Sequence, residues 1–127
     1  MCASTARGMC ELPQDETSPA AARQFLRRAT CAEHAGHVVE DAVLLVSEVV
    51  TNSVIHGAPP IVVAVDCDST DGLQVRVRDG SRNLPKPRAA GMTDEGGRGL
   101  GLLDRLSDDW GVETEPGDGK QVWFVLR

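Results

Sequence analysis

The chain has 127 residues, of which 41% are hydrophobic and 25% charged, and this composition is typical of one globular domain, 1–127, with a buried core. The net charge of −6 and the aromatic content of 3% argue against nucleic acid as a direct partner, because nucleic acid is bound by clustered Lys and Arg or by stacked aromatic rings. No apolar run approaches the roughly 20 residues of a membrane span and the first residues lack the apolar core of a signal peptide, so we expect a cytoplasmic protein without a membrane partner.

The N-terminal part is predicted to contain an arm and then a helix. Residues 1 to about 16 are polar and lack periodicity, which fits either a loose arm or a short edge strand, and we predict a loose arm over 1–11. Ser18 followed by Pro19 is typical of a helix start, with Ser as the N-cap residue and Pro at the first helical position. An amphipathic helix is therefore predicted over about 20–32.

A second, longer helix is predicted over about 38–56, with Gly57 as its C-terminal stop. Most of its surface is apolar, yet Glu48 and Asn52 stand four residues apart and therefore share one face. His56 extends the same stripe at the helix end, where it either faces the helix dipole or contributes a ligand. A carboxylate and an amide among Leu and Val need a polar partner, and Mg²⁺ with a phosphate chain would supply one. Solvated polar positions are the alternative.

Four strands are predicted in two pairs, separated by a long loop over 80–97 and a short helix over 99–107. A loop of this length inside a compact domain is often a lid. Because the helices are segregated from hairpin-like strands, we expect an α+β two-layer sandwich with a mixed, mostly antiparallel sheet covered on one face by helices. The predicted strands are 61–66, 73–79, 109–115 and 121–126.

Two further segments can carry chemistry. The glycine-rich run 96–101 fits neither a P-loop nor a Rossmann turn. Backbone N–H groups at a helix start can nevertheless bind phosphate oxygens, and the guanidinium group of Arg98 can donate further hydrogen bonds to phosphate. A flexible turn without chemical consequence explains the glycines equally well. Asp79 ends a predicted strand and is followed by Gly80, and its carboxylate could accept a hydrogen bond from the amino group of adenine and repel the carbonyl of guanine. A turn-forming Asp-Gly pair is the alternative.

Together these pieces form an ordered triple: Glu-x-x-x-Asn on a helix, Asp-Gly after a strand, and Gly-x-Gly-x-Gly after a long loop. The triple resembles the GHKL superfamily, whose Bergerat ATP-binding fold is shared by gyrase, histidine kinases and MutL. The segments SEVVTNSVIHG, GGRGLGLLDRLSDDWGVE and GKQVWFVL look like anti-sigma-factor serine kinases of the RsbW and SpoIIAB type, particularly the small stand-alone versions of actinobacteria. The resemblance covers roughly residues 12–126.

The resemblance implies roles for individual residues. Glu48 would be the catalytic base that takes a proton from a substrate serine, and Asn52 would coordinate Mg²⁺. Asp79 would read adenine, although Ser81 and Asn83 stand where the family has glycines. The ATP-binding positions that it implies are Asn52, His56, Asp79, Gly80, Arg98, Gly99, Leu100 and Gly101.

The resemblance also implies partners and an activity. Such proteins hold a sigma factor, phosphorylate a serine on a STAS-domain antagonist, use ATP and Mg²⁺, and usually work as homodimers. An ATP-gated regulatory binding protein without phosphotransfer is the second interpretation. A detached histidine-kinase catalytic domain is disfavoured, because no upstream helical hairpin carries a phosphoacceptor His.

Overall fold

A computed structural model of the protein describes residues 5–30, 35–68, 72–81, 95–115 and 119–127. Within these ranges, the strands are β1 Thr5–Leu12, β2 Ile61–Asp68, β3 Gly72–Asp79, β4 Asp109–Glu115 and β5 Gly119–Leu126. The helices are α1 Ser18–Ala29, α2 Val39–His56 and α3 Glu95–Leu106, and a 3₁₀ turn, Gly36–Val38, precedes α2. None of the described helices is long and apolar enough to cross a membrane.

The five strands form one sheet in the order β1-β2-β3-β5-β4. The two predicted hairpins, β2 with β3 and β4 with β5, are confirmed, and each neighbouring pair of described strands is antiparallel. Alternate residues of β3 face the helices and are buried, as the two-residue period of a strand requires. The predicted α+β two-layer fold, with helices over one face of the sheet, is therefore confirmed.

The helical layer is built on α2, which packs against both α1 and α3. The inward side chains of α2 include Leu45, Val46 and Val50, none of which is exposed to solvent. The structure corrects the predicted cap of α1, because Thr17 is the N-cap residue and Ser18 already lies in the helix. Ser18 instead donates its hydroxyl to the carbonyl of Pro13, which fixes the turn that leads into α1.

The prediction of a loose arm over 1–11 is wrong for residues 5–11, which belong to the edge strand β1. This strand pairs with β2 along its whole length, from Thr5 opposite Asp68 to Leu12 opposite Ile61. Leu12 is buried, and a Cβ built on Gly8 would come within 3.1 Å of the Phe25 ring of α1. The inward side of β1 is therefore covered, although its small residues give little apolar periodicity. Residues 1–4 lie outside the described residues.

Helix α3 begins at Glu95, four residues before the predicted start at Gly99. The glycine-rich run is thus helical here, and the predicted loop does not extend to residue 97. Each glycine costs about 0.8–1 kcal/mol relative to alanine inside a helix. Packing offsets that cost, because Leu103 is fully buried and Leu102 and Leu106 pack against the core. Residues 82–94 of the predicted loop, including Asn83, lie outside the described residues.

Candidate functional site

The central feature of the site is the polar pair on α2. Glu48 and Asn52 are half-buried one turn apart, and Val49 and Val50 between them are buried. The side-chain oxygen Oδ1 of Asn52 is inaccessible to solvent and has no hydrogen-bond partner among the described residues. An unpaired buried acceptor costs about 1–3 kcal/mol, so this oxygen is suited to a cation or to a donor that arrives from outside.

The Asn52 oxygen fits the Mg²⁺ that the sequence resemblance implies. Mg²⁺ prefers oxygen ligands and is usually held by one or two protein groups together with substrate phosphates. Across the described part of the chain, no group of three or more His, Cys, Asp or Glu side chains could hold a metal ion. A metal at Asn52 would therefore take most of its ligands from a phosphate chain and water.

Asp79 lies at the end of β3, on the face of the sheet that the helices cover. Its side chain is 1% exposed, and Oδ1 accepts a hydrogen bond of 2.8 Å from the backbone N–H of Ser81. Gly57, which ends α2, lies so close that a Cβ at this position would be 2.6 Å from Asp79 Oδ2. The absence of a side chain at residue 57 is what lets the helix end approach the carboxylate.

A second charged residue shares this buried position. Lys120 of β5 is directly opposite Asp79 in the β3–β5 ladder, and its side chain is 5% exposed. Its Nζ atom is 3.6 Å from Asp79 Oδ2. Lys120 was not predicted as a site residue, although the alternation Lys120, Val122, Phe124 along β5 places the lysine on the inward face.

These contacts bring the ends of α2 and β3 together. Gly80 donates its N–H to the carbonyl of Ala58 at 2.7 Å, and a Cβ on Gly80 would be 2.4 Å from the carbonyl oxygen of Pro59. Asn52 precedes Gly57, the C-cap residue of α2, by five residues, or about 7–8 Å along the helix axis. The structure therefore joins the Asp79 end of the sheet to the helix that carries Glu48 and Asn52.

The other predicted ATP-binding positions are less confined. His56 is exposed in the last turn of α2, and Gly101 is exposed on α3, where a Cβ would meet nothing within 4 Å. The backbones of Arg98, Gly99 and Leu100 lie in α3, and their side chains are outside the described part of the structure. The N–H of Gly80 is already used by Ala58, which gives that glycine a structural role.

Most of the chain matches a known protein family. Residues 12–126 match the family described as the histidine kinase-like ATPase domain. This chain belongs to that family. Membership implies that the ligand is ATP. In this ATPase domain, the buried Asp79 lies where α2 meets the sheet, and Asn52, whose Oδ1 has no partner among the described residues, lies on α2 nearby.

Two further comparisons show a local likeness in sequence and a likeness in fold. A stretch of 51 residues is 47% identical to an uncharacterized protein of Streptomyces coelicolor, and it covers 39% of this chain and 48% of that protein, about half its length. In fold, the domain is similar to the crystal structure of the RsbU and RsbW domains of a Mycobacterium tuberculosis protein, with a TM-score of 0.70 and 22% identity. That match covers 95% of this chain and 32% of the other.

Proposed function

We propose that this ATPase domain is an ATP- and Mg²⁺-dependent serine/threonine protein kinase with anti-sigma activity. It binds a sigma factor and phosphorylates a STAS-domain antagonist, as a cytoplasmic homodimer in a partner-switching system. Family membership supports the nucleotide, and the fold likeness to a structure that contains an RsbW domain supports the regulatory branch. The resemblance of the three sequence motifs to anti-sigma kinases supports the choice of serine.

One observation carries the proposal: a buried, unpaired amide oxygen lies one helical turn from a half-buried carboxylate. A solvated polar stripe would leave Asn52 Oδ1 in contact with water, whereas this atom is inaccessible and unpaired within the described residues. A binding module without a metal–phosphate ligand gives this oxygen no partner. A kinase site uses both groups, because the metal needs an oxygen ligand and the hydroxyl nucleophile needs a base.

The reaction assigns one task to each side chain. Glu48 accepts the proton of the serine hydroxyl as that oxygen attacks phosphorus. Asn52 orients the phosphate chain through its side-chain oxygen, and Asp79 selects the base. When bound, Mg·ATP supplies the γ-phosphoryl group and neutralises its charge. The products are a phosphoserine on the antagonist and ADP, with the proton on Glu48.

A second candidate function is an ATP-gated binding protein that does not transfer phosphate. The observation that favours it is Ser81, which replaces a glycine expected from the family resemblance. Ser81 is 8% exposed, and its N–H donates to Asp79. A side chain buried beside the base-reading residue reduces the room at the site. Such a protein would respond to ATP in its partner affinity alone.

Glu48→Gln separates the two functions. Partners are recovered from a native lysate on the tagged protein with ATP and Mg²⁺, identified by mass, and then used purified with radiolabelled ATP. A kinase that uses Glu48 as general base should lose transfer by about 10²–10⁴-fold in this variant, while its ATP affinity changes little. Asp41→Asn is the matched control, because Asp41 is an exposed carboxylate in the first turn of the same helix.

The outcomes point to different mechanisms. Acid-stable phosphoserine on a STAS protein, lost in Glu48→Gln and kept in Asp41→Asn, is the expected result. Acid-labile phosphate on the product would indicate a histidine kinase instead. No transfer by the wild-type protein, together with ATP-dependent binding of the partner, would replace the kinase by the binding protein. If the wild-type protein does not bind ATP, both functions are refuted.

A further inference from the structure

Asp79 and Lys120 form a buried ion pair that the assigned roles do not explain. The two residues face each other across β3 and β5, and their side chains are 1% and 5% exposed. Exposed lysines are common, but a lysine is almost never fully buried unless it is paired. The pair lies on the helix-facing side of the sheet, beside the end of α2, where the proposed nucleotide site is located.

The geometry of the pair leaves one carboxylate oxygen able to accept. Oδ1 of Asp79 already accepts from Ser81 N–H at 2.8 Å. Lys120 Nζ is 3.6 Å from Oδ2, which is longer than a hydrogen bond, so the ammonium group balances the charge without taking the lone pairs of that oxygen. An acceptor, Oδ2, and a donor, Nζ, therefore lie side by side in a buried position.

We propose that Lys120 is a second base-reading residue, which donates to N1 of adenine while Asp79 accepts from the 6-amino group. This inference rests on the proposed ATP site. Adenine presents a donor at position 6 and an acceptor at N1, and the acceptor and donor of the pair are complementary to both. Guanine presents an acceptor and a donor in the reverse order, so both contacts would be mismatched. With guanine, the polar atoms of Asp79 and Lys120 would be buried without hydrogen-bond partners, and the cost of their desolvation would weaken binding.

Nucleotide analogues test this on the wild-type protein without any turnover. The affinities of ATP, 1-deaza-ATP and 7-deaza-ATP are measured by titration calorimetry with Mg²⁺. Each analogue replaces one ring nitrogen by CH, and only the first removes the acceptor that Lys120 would contact. We expect 1-deaza-ATP to bind at least about tenfold more weakly than ATP, and 7-deaza-ATP to bind within about threefold of ATP. Equal binding of all three would overturn the inference.

Lys120→Met tests whether the lysine is the donor. Methionine has a similar length and no charge, so it removes the hydrogen bond with little change in volume. We expect weaker ATP binding, and we expect the difference between ATP and 1-deaza-ATP to fall below about twofold. A purely structural lysine would lower the two affinities by the same factor and keep the difference, which would overturn the inference. Arg28→Met, at an exposed position in the last turn of α1, is the control.

The possible results separate this inference from the proposed function. If Lys120→Met does not fold, the affinities of the wild-type protein for ATP, 1-deaza-ATP and 7-deaza-ATP still test the inference. If ATP binds and the analogues do not differ, the inference fails while the ATP site stands. If the wild-type protein binds no ATP, the proposed site and the inference fail together. Loss of transfer in Glu48→Gln with an intact penalty for 1-deaza-ATP would support the inference independently of the kinase assay.

Discussion

Gly57→Ala is the substitution that most directly tests the junction of α2 and β3. The backbone of Gly57 has φ −94° and ψ −159°, which alanine also adopts, so the change introduces no backbone strain. The added Cβ would be 2.6 Å from both Asp79 Oδ2 and the carbonyl oxygen of Ser53. Ordinary contacts of a Cβ begin at 3.4 Å, so the neighbours must retreat by 3.4 − 2.6 = 0.8 Å.

The neighbours of residue 57 resist this movement. The Ser53 carbonyl belongs to the last turn of α2 and accepts the N–H of residue 57 at 2.9 Å, and Asp79 is held by Ser81 and Lys120. Overpacking of this kind lowers the free energy of unfolding by about 1–3 kcal/mol, whereas the lower conformational entropy of the unfolded alanine chain raises it by about 0.4–1 kcal/mol. We expect a net loss of about 1–2 kcal/mol, or roughly 4–8 °C in Tm. Displacement of Asp79 should also weaken ATP binding.

Calorimetry measures both effects, as thermal unfolding without nucleotide and as titration with ATP and Mg²⁺. Gly101→Ala is the stability control, because its Cβ would enter open space on α3 and should stabilise the helix by up to about 0.5–1 kcal/mol. The reasoning is refuted if Gly57→Ala is as stable as the wild-type protein. Lower stability with unchanged ATP affinity would instead show that Asp79 does not read the base.

Three other changes have defined outcomes. Asn52→Ala should not lower the free energy of unfolding, because it removes a buried oxygen that has no hydrogen-bond partner within the described residues and whose desolvation costs about 1–3 kcal/mol. The same change should abolish the gain in ATP affinity from Mg²⁺, which titrations with and without the metal measure. Phe124→Ala should lower the free energy of unfolding by about 3–5 kcal/mol in urea denaturation, because the ring is fully buried; an effect below about 1 kcal/mol would contradict its place in the core. The hydrogen bond and charge of Arg27, 2.7 Å away, lower the pKa of Glu40, so the pair stabilises the fold at neutral pH and this contribution is lost as pH falls through the folded pKa. Glu40→Gln should therefore be less stable than wild type near pH 7, and the difference should shrink as the pH falls through the folded pKa of Glu40 and as salt is added, when both proteins are unfolded in urea.

Sequence patterns located the strongly periodic elements to within a residue or two. Helix α2 was predicted over 38–56 and spans Val39–His56, and β3 was predicted over 73–79 and spans Gly72–Asp79. Both bury one continuous face, so the periodicity of their apolar residues reports the fold directly. Strand β1 gives no such signal, because Gly8 and Cys10 are its inward residues and its partner β2 lies about fifty residues away.

The polar part of the site was only half predictable for a related reason. Glu48 and Asn52 share one helix, so the spacing of four residues shows that they are neighbours. Asp79 and Lys120 become neighbours only because β5, and not β4, pairs with β3. Local patterns do not distinguish these two orders of strands, and the lysine was therefore not connected with the aspartate. The roles of the predicted ATP-binding residues stay predictions until binding is measured.

The order of the strands also determines when in folding the ion pair of Asp79 and Lys120 can form. Only three residues of sequence separate β2 from β3, whereas pairing of Asp79 with Lys120 closes a connection of 41 residues (120 − 79). For a flexible chain of that length, the entropy of closure opposes pairing by about 3 kcal/mol, and contacts so distant in sequence form late. A partly folded chain that has the α2 helix and the first hairpin therefore still lacks the pair. A nucleotide that contacts both Asp79 and Lys120 would bind only after β3 and β5 have paired. Its binding would therefore shift the folding equilibrium toward the native state by mass action.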